Sequence, residues 1–244
     1  MIDNWLERTE LLLGEEKLGY LKEANILVMG LGGVGAYAAE MLCRAGIGNF
    51  TIVDGDVVQS SNRNRQLIAL SSNIGKGKAE LMKERLLEIN PNVQVNAIQK
   101  YLKDQDLFDV LQLSKYNFVI DAIDTLAPKV SLIHFCVSNS IPIVSSMGAG
   151  GKIDPSQIKV SDISKSHNDN LARMLRKRLH KLGIYKGVTV VFSAEKGDKD
   201  AVKLVENEQN KKSTVGTISY LPPMFGCTIA SVVIRKLIEQ KNEE

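Results

Sequence analysis

The chain has 244 residues, 44% of them hydrophobic and 24% charged, the balance of a soluble globular protein. Its 31 Lys and Arg against 28 Asp and Glu leave a formal charge of +3, which excludes a histone-like or acidic-tail protein but not a local basic patch. Cys43, Cys136 and Cys227 form no CxxC, and His134, His167 and His180 are far apart, which excludes a disulfide framework and a zinc ribbon and points to a reducing cytoplasm. The N-terminus, with its early Asp, Glu and Arg, is no signal peptide, and the late apolar run 225–234 is too short to span a bilayer.

In chain order, 25–30 (NILVMG) reads as a short buried strand. The alanine-rich run 33–45 reads as a helix entered through glycines and ended at Gly46, and 49–53 as a second strand ending at Asp54. Ala79, Met82, Leu86 and Ile89 make one apolar face of a helix over 76–89, which Asn90-Pro91 stops. Strands follow at 93–98 and 117–122, then a helix at 127–139 and a strand at 141–145. Further on come a basic helix at 169–182, a strand at 188–193, a polar loop at 196–212 and a closing helix at 223–240 entered through Pro222-Pro223. Alternating β and α of this kind predicts an α/β fold: a Rossmann-like, doubly wound, mostly parallel sheet. The pattern weakens after the glycines at 148–151, so 1–244 reads as a single domain with 152–216 as an inserted excursion.

Gly30, Gly32, Gly33 and Gly35 fit G-x-G-x-x-G between a strand and a helix, where the helix N-terminus offers free N–H groups to a phosphate. Asp54, closing the next strand, suits a ribose hydroxyl. A dinucleotide for hydride transfer is the default reading of that motif, and three features oppose it. SNRNRQ at 61–66 supplies donors for a polyphosphate. Lys78 opens the next helix with another cation. Asp121 and Asp124 end the fourth strand, where a carboxylate beside polyphosphate suits magnesium.

GLGGVG, VDGD at 53–56, SNRNRQ, GKGKAE at 75–80, INPNV at 89–93 and DAID at 121–124, in this order, resemble the ubiquitin-activating-enzyme-like superfamily of the ThiF/MoeB/HesA type. The resemblance implies binding of ATP and Mg2+ and activation of a carboxylate as its adenylate. It implies that the glycine loop faces the phosphates, Asp54 the ribose, Asn62, Arg65 and Lys78 the triphosphate, and Asp124 the metal. Arg8 matches an N-terminal arginine that such proteins place in a partner subunit's site, which implies a homodimer. Arg8, Arg65, Lys78 and the metal would then stabilise charge developing on the phosphates.

Without a CxxC, and with no cysteine in 148–226, a thioester-forming activator is disfavoured. MGAGGKIDP at 147–155, VSDISK at 160–165, VVFSAEK at 190–196 and SYLPPMFGCTIASVVIRKLI at 219–238 resemble the branch that dehydrates threonylcarbamoyladenosine in tRNA. That resemblance implies cyclisation by an internal nucleophile, the urea oxygen. The alternative is an adenylyltransferase acting on the C-terminus of a small ubiquitin-like protein. The longer cysteine-containing hydrophobic tail of some members is absent from these residues, so a sulfur-transfer partner or membrane association tied to it is not expected. Arg173, Lys177 and Lys181 recur every four residues on one helix face and, with Arg176, suit tRNA phosphates. His180 in the same stretch reads as incidental, and the three cysteines read as packing residues.

Overall fold

The central strands of this protein carry continuous apolar runs, ILVM in the first and FVI in the fourth, because both faces of the sheet are covered. The computed structural model describes residues 5–102, 105–198, 200–204 and 213–239. Two short helices, α1 (Glu7–Leu13) and α2 (Glu15–Glu23), hinge at Gly14 and lead into β1 (Asn25–Met29), α3 (Gly35–Arg44) and β2 (Asn49–Val53). After a long irregular connection come α4 (Lys78–Ile89), β3 (Gln94–Ile98), α5 (Gln105–Gln112), β4 (Phe118–Asp121), α6 (Leu126–Ser138) and β5 (Ile143–Ser146). The chain continues through β6 (Ile158–Asp162), α7 (Asn170–His180), β7 (Thr189–Ser193), β8 (Val202–Leu204), β9 (Ser213–Val215) and α8 (Leu221–Glu239).

Seven strands form one sheet in the order β3-β2-β1-β4-β5-β7-β6, every pairing parallel except β6 with β7. The expected mostly parallel, doubly wound α/β class is therefore observed. Successive residues point to opposite faces. Ile26 and Val28 enter one apolar cluster with α3, α4 and α8, while Leu27 and Met29 enter the other with α5, α6 and α7. Each such buried aliphatic side chain stabilises the fold by about 1.5–3 kcal/mol relative to exposure.

Residues 152–216 include α7 and two strands of this sheet, with β8 and β9 as a separate antiparallel hairpin. The polar loop expected at 196–212 thus contains β8, while Lys199 and residues 205–212 lie outside the described residues. The closing helix begins at Leu221, two residues earlier than expected, because Pro222 and Pro223 lie in its first turn, where an N–H has no helical acceptor anyway. Its expected last residue, Gln240, lies outside the described residues. With 19 residues, α8 is long and apolar enough to cross a membrane by length and composition. Here half of it is buried, and Gly226 lets its backbone approach α3 so closely that a Cβ would lie 2.5 Å from Val34 O.

Candidate nucleotide and tRNA site

The sheet reverses its winding direction at β1, with β2 on one side and β4 on the other, and ligands of open α/β sheets bind at the carboxyl ends of the strands there. The glycine turn leaves β1 at this point. Gly30 has φ +92°, and a Cβ on it would lie 2.7 Å from Ala122 O, so β4's exit presses on the turn from below. A Cβ on Gly35 would lie 1.8 Å from Gly30 O, so the turn also closes on itself. Backbone packing therefore requires glycine at both of these positions. At Gly32 a Cβ would meet only Gln66 Nε2, at 3.7 Å, leaving room for a ligand. Gly33 is wedged between Pro222 of α8 and the Arg65 carbonyl.

Asp54 is the latch of this turn. Its Oδ2 accepts from Leu31 N at 2.7 Å and its Oδ1 from Asp56 N at 2.8 Å. Burial raises the Asp54 pKa, and the Lys78 charge and the two N–H bonds lower it without cancelling that rise. The expected ribose acceptor therefore already has a structural task. Lys78, the first residue of α4, is buried and donates at 2.7 Å to Asp56, which also accepts from Tyr101 Oη.

The SNRNRQ segment holds its own shape. Asn62 is buried in a 3-10 turn at Ser60–Asn62, and its Oδ1 accepts from Gln59 N at 3.1 Å. Arg65 Nη1 donates to Ser61 O at 3.0 Å and to Asn64 Oδ1 at 2.8 Å. Burial lowers the Arg65 pKa, while the Asp124 charge acts to raise it, which places those two expected site residues within electrostatic reach. Arg63 and Asn64 border an open hollow of about 580 Å³.

The two aspartates of DAID separate completely. Asp121 is fully buried: Oδ2 accepts from Lys129 Nζ at 2.7 Å and Ser145 Oγ at 2.6 Å, and Oδ1 accepts from Ile123 N at 3.2 Å. Asp124 stands exposed at the turn into α6. Among the described residues no group of three or more His, Cys, Asp or Glu is placed to hold a metal ion alone, so a cation at Asp124 would need ligand oxygens as well.

Arg8 is exposed on α1. Its neighbour Leu6 packs 3.2 Å from where a Cβ on Gly46 would stand, beyond the carboxyl end of α3. The fold therefore does not bring Arg8 to the crevice of its own chain, which lies at the opposite end of that helix. On α7, Arg173 and Lys177 are exposed, as is Lys181 just past the helix end. Arg176 departs from that stripe: it is half-buried, and its Nη1 donates to Ser166 O at 2.9 Å and to Ser166 Oγ. It braces the preceding 3-10 turn (Ile163–Lys165).

Sequence reasoning missed the junction that anchors α7. Asp169 caps the helix through Ala172 N at 2.8 Å and also accepts from Gly148 N and from the buried Lys152 Nζ. Lys152 further donates to the carbonyls of Gly148 and Ser193. Lys129 was missed too, although it is the single Lys, Arg, Asp or Glu of α6. Burial pushes the Cys43 and Cys136 thiols up to about 12, and Cys227, expected to pack, is exposed, with its pKa raised by partial desolvation. None of these thiols has the lowered pKa of a nucleophile.

Residues 6–244 match the ThiF family. The tRNA threonylcarbamoyladenosine dehydratase of Bacillus subtilis (strain 168) is 38% identical over 239 residues, covering 95% of this chain and 94% of that protein. The enzyme of the same name from Escherichia coli (strain K12) is 44% identical over 203 residues, covering 79% and 75%. The crystal structure of the E. coli tRNA N6-threonylcarbamoyladenosine dehydratase, TcdA, in complex with ATP aligns at TM-score 0.90 and 37% identity. That alignment covers 99% of this chain and 98% of the other.

Proposed function

The chain belongs to the ThiF family, and on that premise we propose that it uses ATP to dehydrate threonylcarbamoyladenosine in tRNA. The observation that carries this reading is the likeness to the ATP-bound dehydratase along the whole length, second half included. The threonyl carboxylate oxygen bonds to the α-phosphate and pyrophosphate departs. The neighbouring urea oxygen then attacks the acyl carbon, AMP leaves with the former carboxylate oxygen, a urea N–H gives its proton to solvent, and the nucleoside has lost one water in net. The attacking group belongs to the substrate, which agrees with the raised pKa of all three thiols.

The crevice suits a triphosphate. Gly32 leaves the face of the turn open, and the first N–H groups of α3 have no acceptor within the helix. Arg65 and Lys78 supply cations from two elements around that turn, with Asn62 behind Arg65 and Asp54 fixing the loop. Mg2+ would supply charge neutralisation at the phosphates, held by them, by water and by the Asp124 carboxylate, since magnesium commonly uses one or two carboxylates.

Arg8 acts, in this reading, on the crevice of a second copy. Trp5, Leu11 and Leu12 are exposed beside it on and before α1, an apolar surface that a homodimer would cover. Arg173, Lys177 and Lys181 meet tRNA phosphates, and such a substrate sets the work in the cytoplasm.

The protein is incubated with ATP, Mg2+ and tRNA carrying threonylcarbamoyladenosine, and the nucleoside is weighed by mass spectrometry after mild workup. Loss of one water, dependent on ATP, is expected, and an unchanged mass overturns the proposal.

A further inference from the structure

The stretch 173–186 holds six Arg and Lys residues and no Asp or Glu. In α7 the residues Ala172, Leu175 and Leu179 turn into the core, which leaves Arg173, Lys177 and Arg178 on the outside. Past the helix the chain makes a pinned turn. Leu182 N and Ile184 N both donate to Leu179 O, at 2.9 and 3.0 Å, and Gly183 takes φ +78°. The Ile184 side chain enters the core, and Gly187 N donates to Asp162 Oδ2 at 2.6 Å. Asp162 also accepts from Ser164 N, so the carboxylate at this turn is engaged by backbone N–H groups.

Tyr185 stands on this turn, 62% exposed, with its ring centroid 5.0 Å from that of His180 and the planes 38° apart. Arg178, Lys181 and Lys186 surround the pair in sequence, all exposed. A large ring held out on a rigid turn contributes little to the core. Among cations without acids, it suits a partner that carries both flat rings and negative charge.

We propose that His180 and Tyr185 form a stacking platform for an unpaired nucleobase of the RNA substrate, with Arg178, Lys181 and Lys186 taking the flanking phosphates. Unpaired bases of loops stack on aromatic side chains, whereas paired RNA is read by shape and backbone. Stacking on such a ring needs no particular base, because every base has a π-face. The platform rests on the reading of the protein as an enzyme acting on tRNA, and it adds a contact to single-stranded RNA that the lysines and arginines alone do not make.

The test uses the full chain with fluorescently labelled tRNA and a fully paired RNA duplex of similar length, over a range of salt. Tyr185→Ala lowers tRNA affinity by about fivefold to a hundredfold and leaves duplex affinity and salt slope unchanged. Tyr185→Phe restores tRNA binding. Lys181→Ala reduces the slope of log K against log salt by about one for both RNAs. Urea unfolding of Tyr185→Ala at the wild-type midpoint shows an intact fold. Wild-type affinity of Tyr185→Ala for tRNA, or an equal loss on both RNAs, overturns the platform alone. Failure of the wild-type protein to bind tRNA overturns the platform and the proposed function together.

Discussion

Two lysines meet aspartates at 2.7 Å on the two sides of the glycine turn, and they do different work. Lys129 and Asp121, beyond β4, have side chains 0% exposed. Lys78, beyond β2, is 4% exposed, but its partner Asp56 is 44% exposed. In the first pair both charges depend wholly on each other, with Ser145 and the Ile123 N–H completing the shell. In the second the carboxylate stays partly in water, so it depends less on the ammonium. Distance does not separate the two pairs; the exposure of the partner does.

Removing Lys129 puts that contrast under most strain. Lys129→Ala leaves Asp121 buried without its cation and is expected to cost about 3–5 kcal/mol of stability in urea unfolding. The paired change Lys129→Met with Asp121→Asn recovers much of it. A loss below about 1 kcal/mol in the single variant would make the two sites equivalent. Lys78→Ala is expected to lose less stability than Lys129→Ala, because the exposed Asp56 rehydrates, although the buried Asp54 also loses the Lys78 charge. Its ATP-dependent turnover falls by about a hundredfold to a thousandfold if this cation stabilises charge on the phosphates. A variant that unfolds as readily as Lys129→Ala would class Lys78 as a brace.

Glu40 extends the contrast to the back of α3, with the smallest effect. It is buried while its partners Arg44 and Arg85 reach solvent. Burial pushes its pKa up, but the hydrogen bonds and charges of Arg85 and Arg44 outweigh burial and leave it lowered. Its contribution is therefore present above the unfolded carboxyl pKa of about 4.3. It is lost as pH falls through the lower folded value. Glu40→Gln is expected to flatten that acid limb of the stability–pH curve, and an unchanged slope would refute the assignment.

The central strands were legible because full burial on both faces leaves an unbroken apolar run, as in NILVM and FVID. The α4 face was legible from spacing alone. By contrast β6 (IKVSD) lies on the sheet edge, half solvated, and offers no apolar run, while α5 has only eight residues. In the candidate site the resemblance singled out Asp124 of DAID for the metal, but the motif alone does not show what occupies Asp121. The structural task of Asp121 comes from Ser145, 24 residues away, and Lys129. The inward turn of Arg176 was within reach of helical arithmetic: it stands four residues after the buried Ala172, on the edge of the apolar face.

The floor of the glycine turn arrives late in the chain. Ala122, against which Gly30 presses, follows β4, and Asn25 N at the start of β1 donates to the side-chain Oδ1 of Asn117, 92 residues on. Such distant parallel pairing closes slowly. A fragment ending before β4 would contain the entire glycine motif and the β1–α3–β2 unit, but not the surface that holds the turn in place. Under the proposed function, ATP would thus be a ligand of the completed sheet rather than of the emerging first unit, and its binding would reward only chains that have paired β1 with β4.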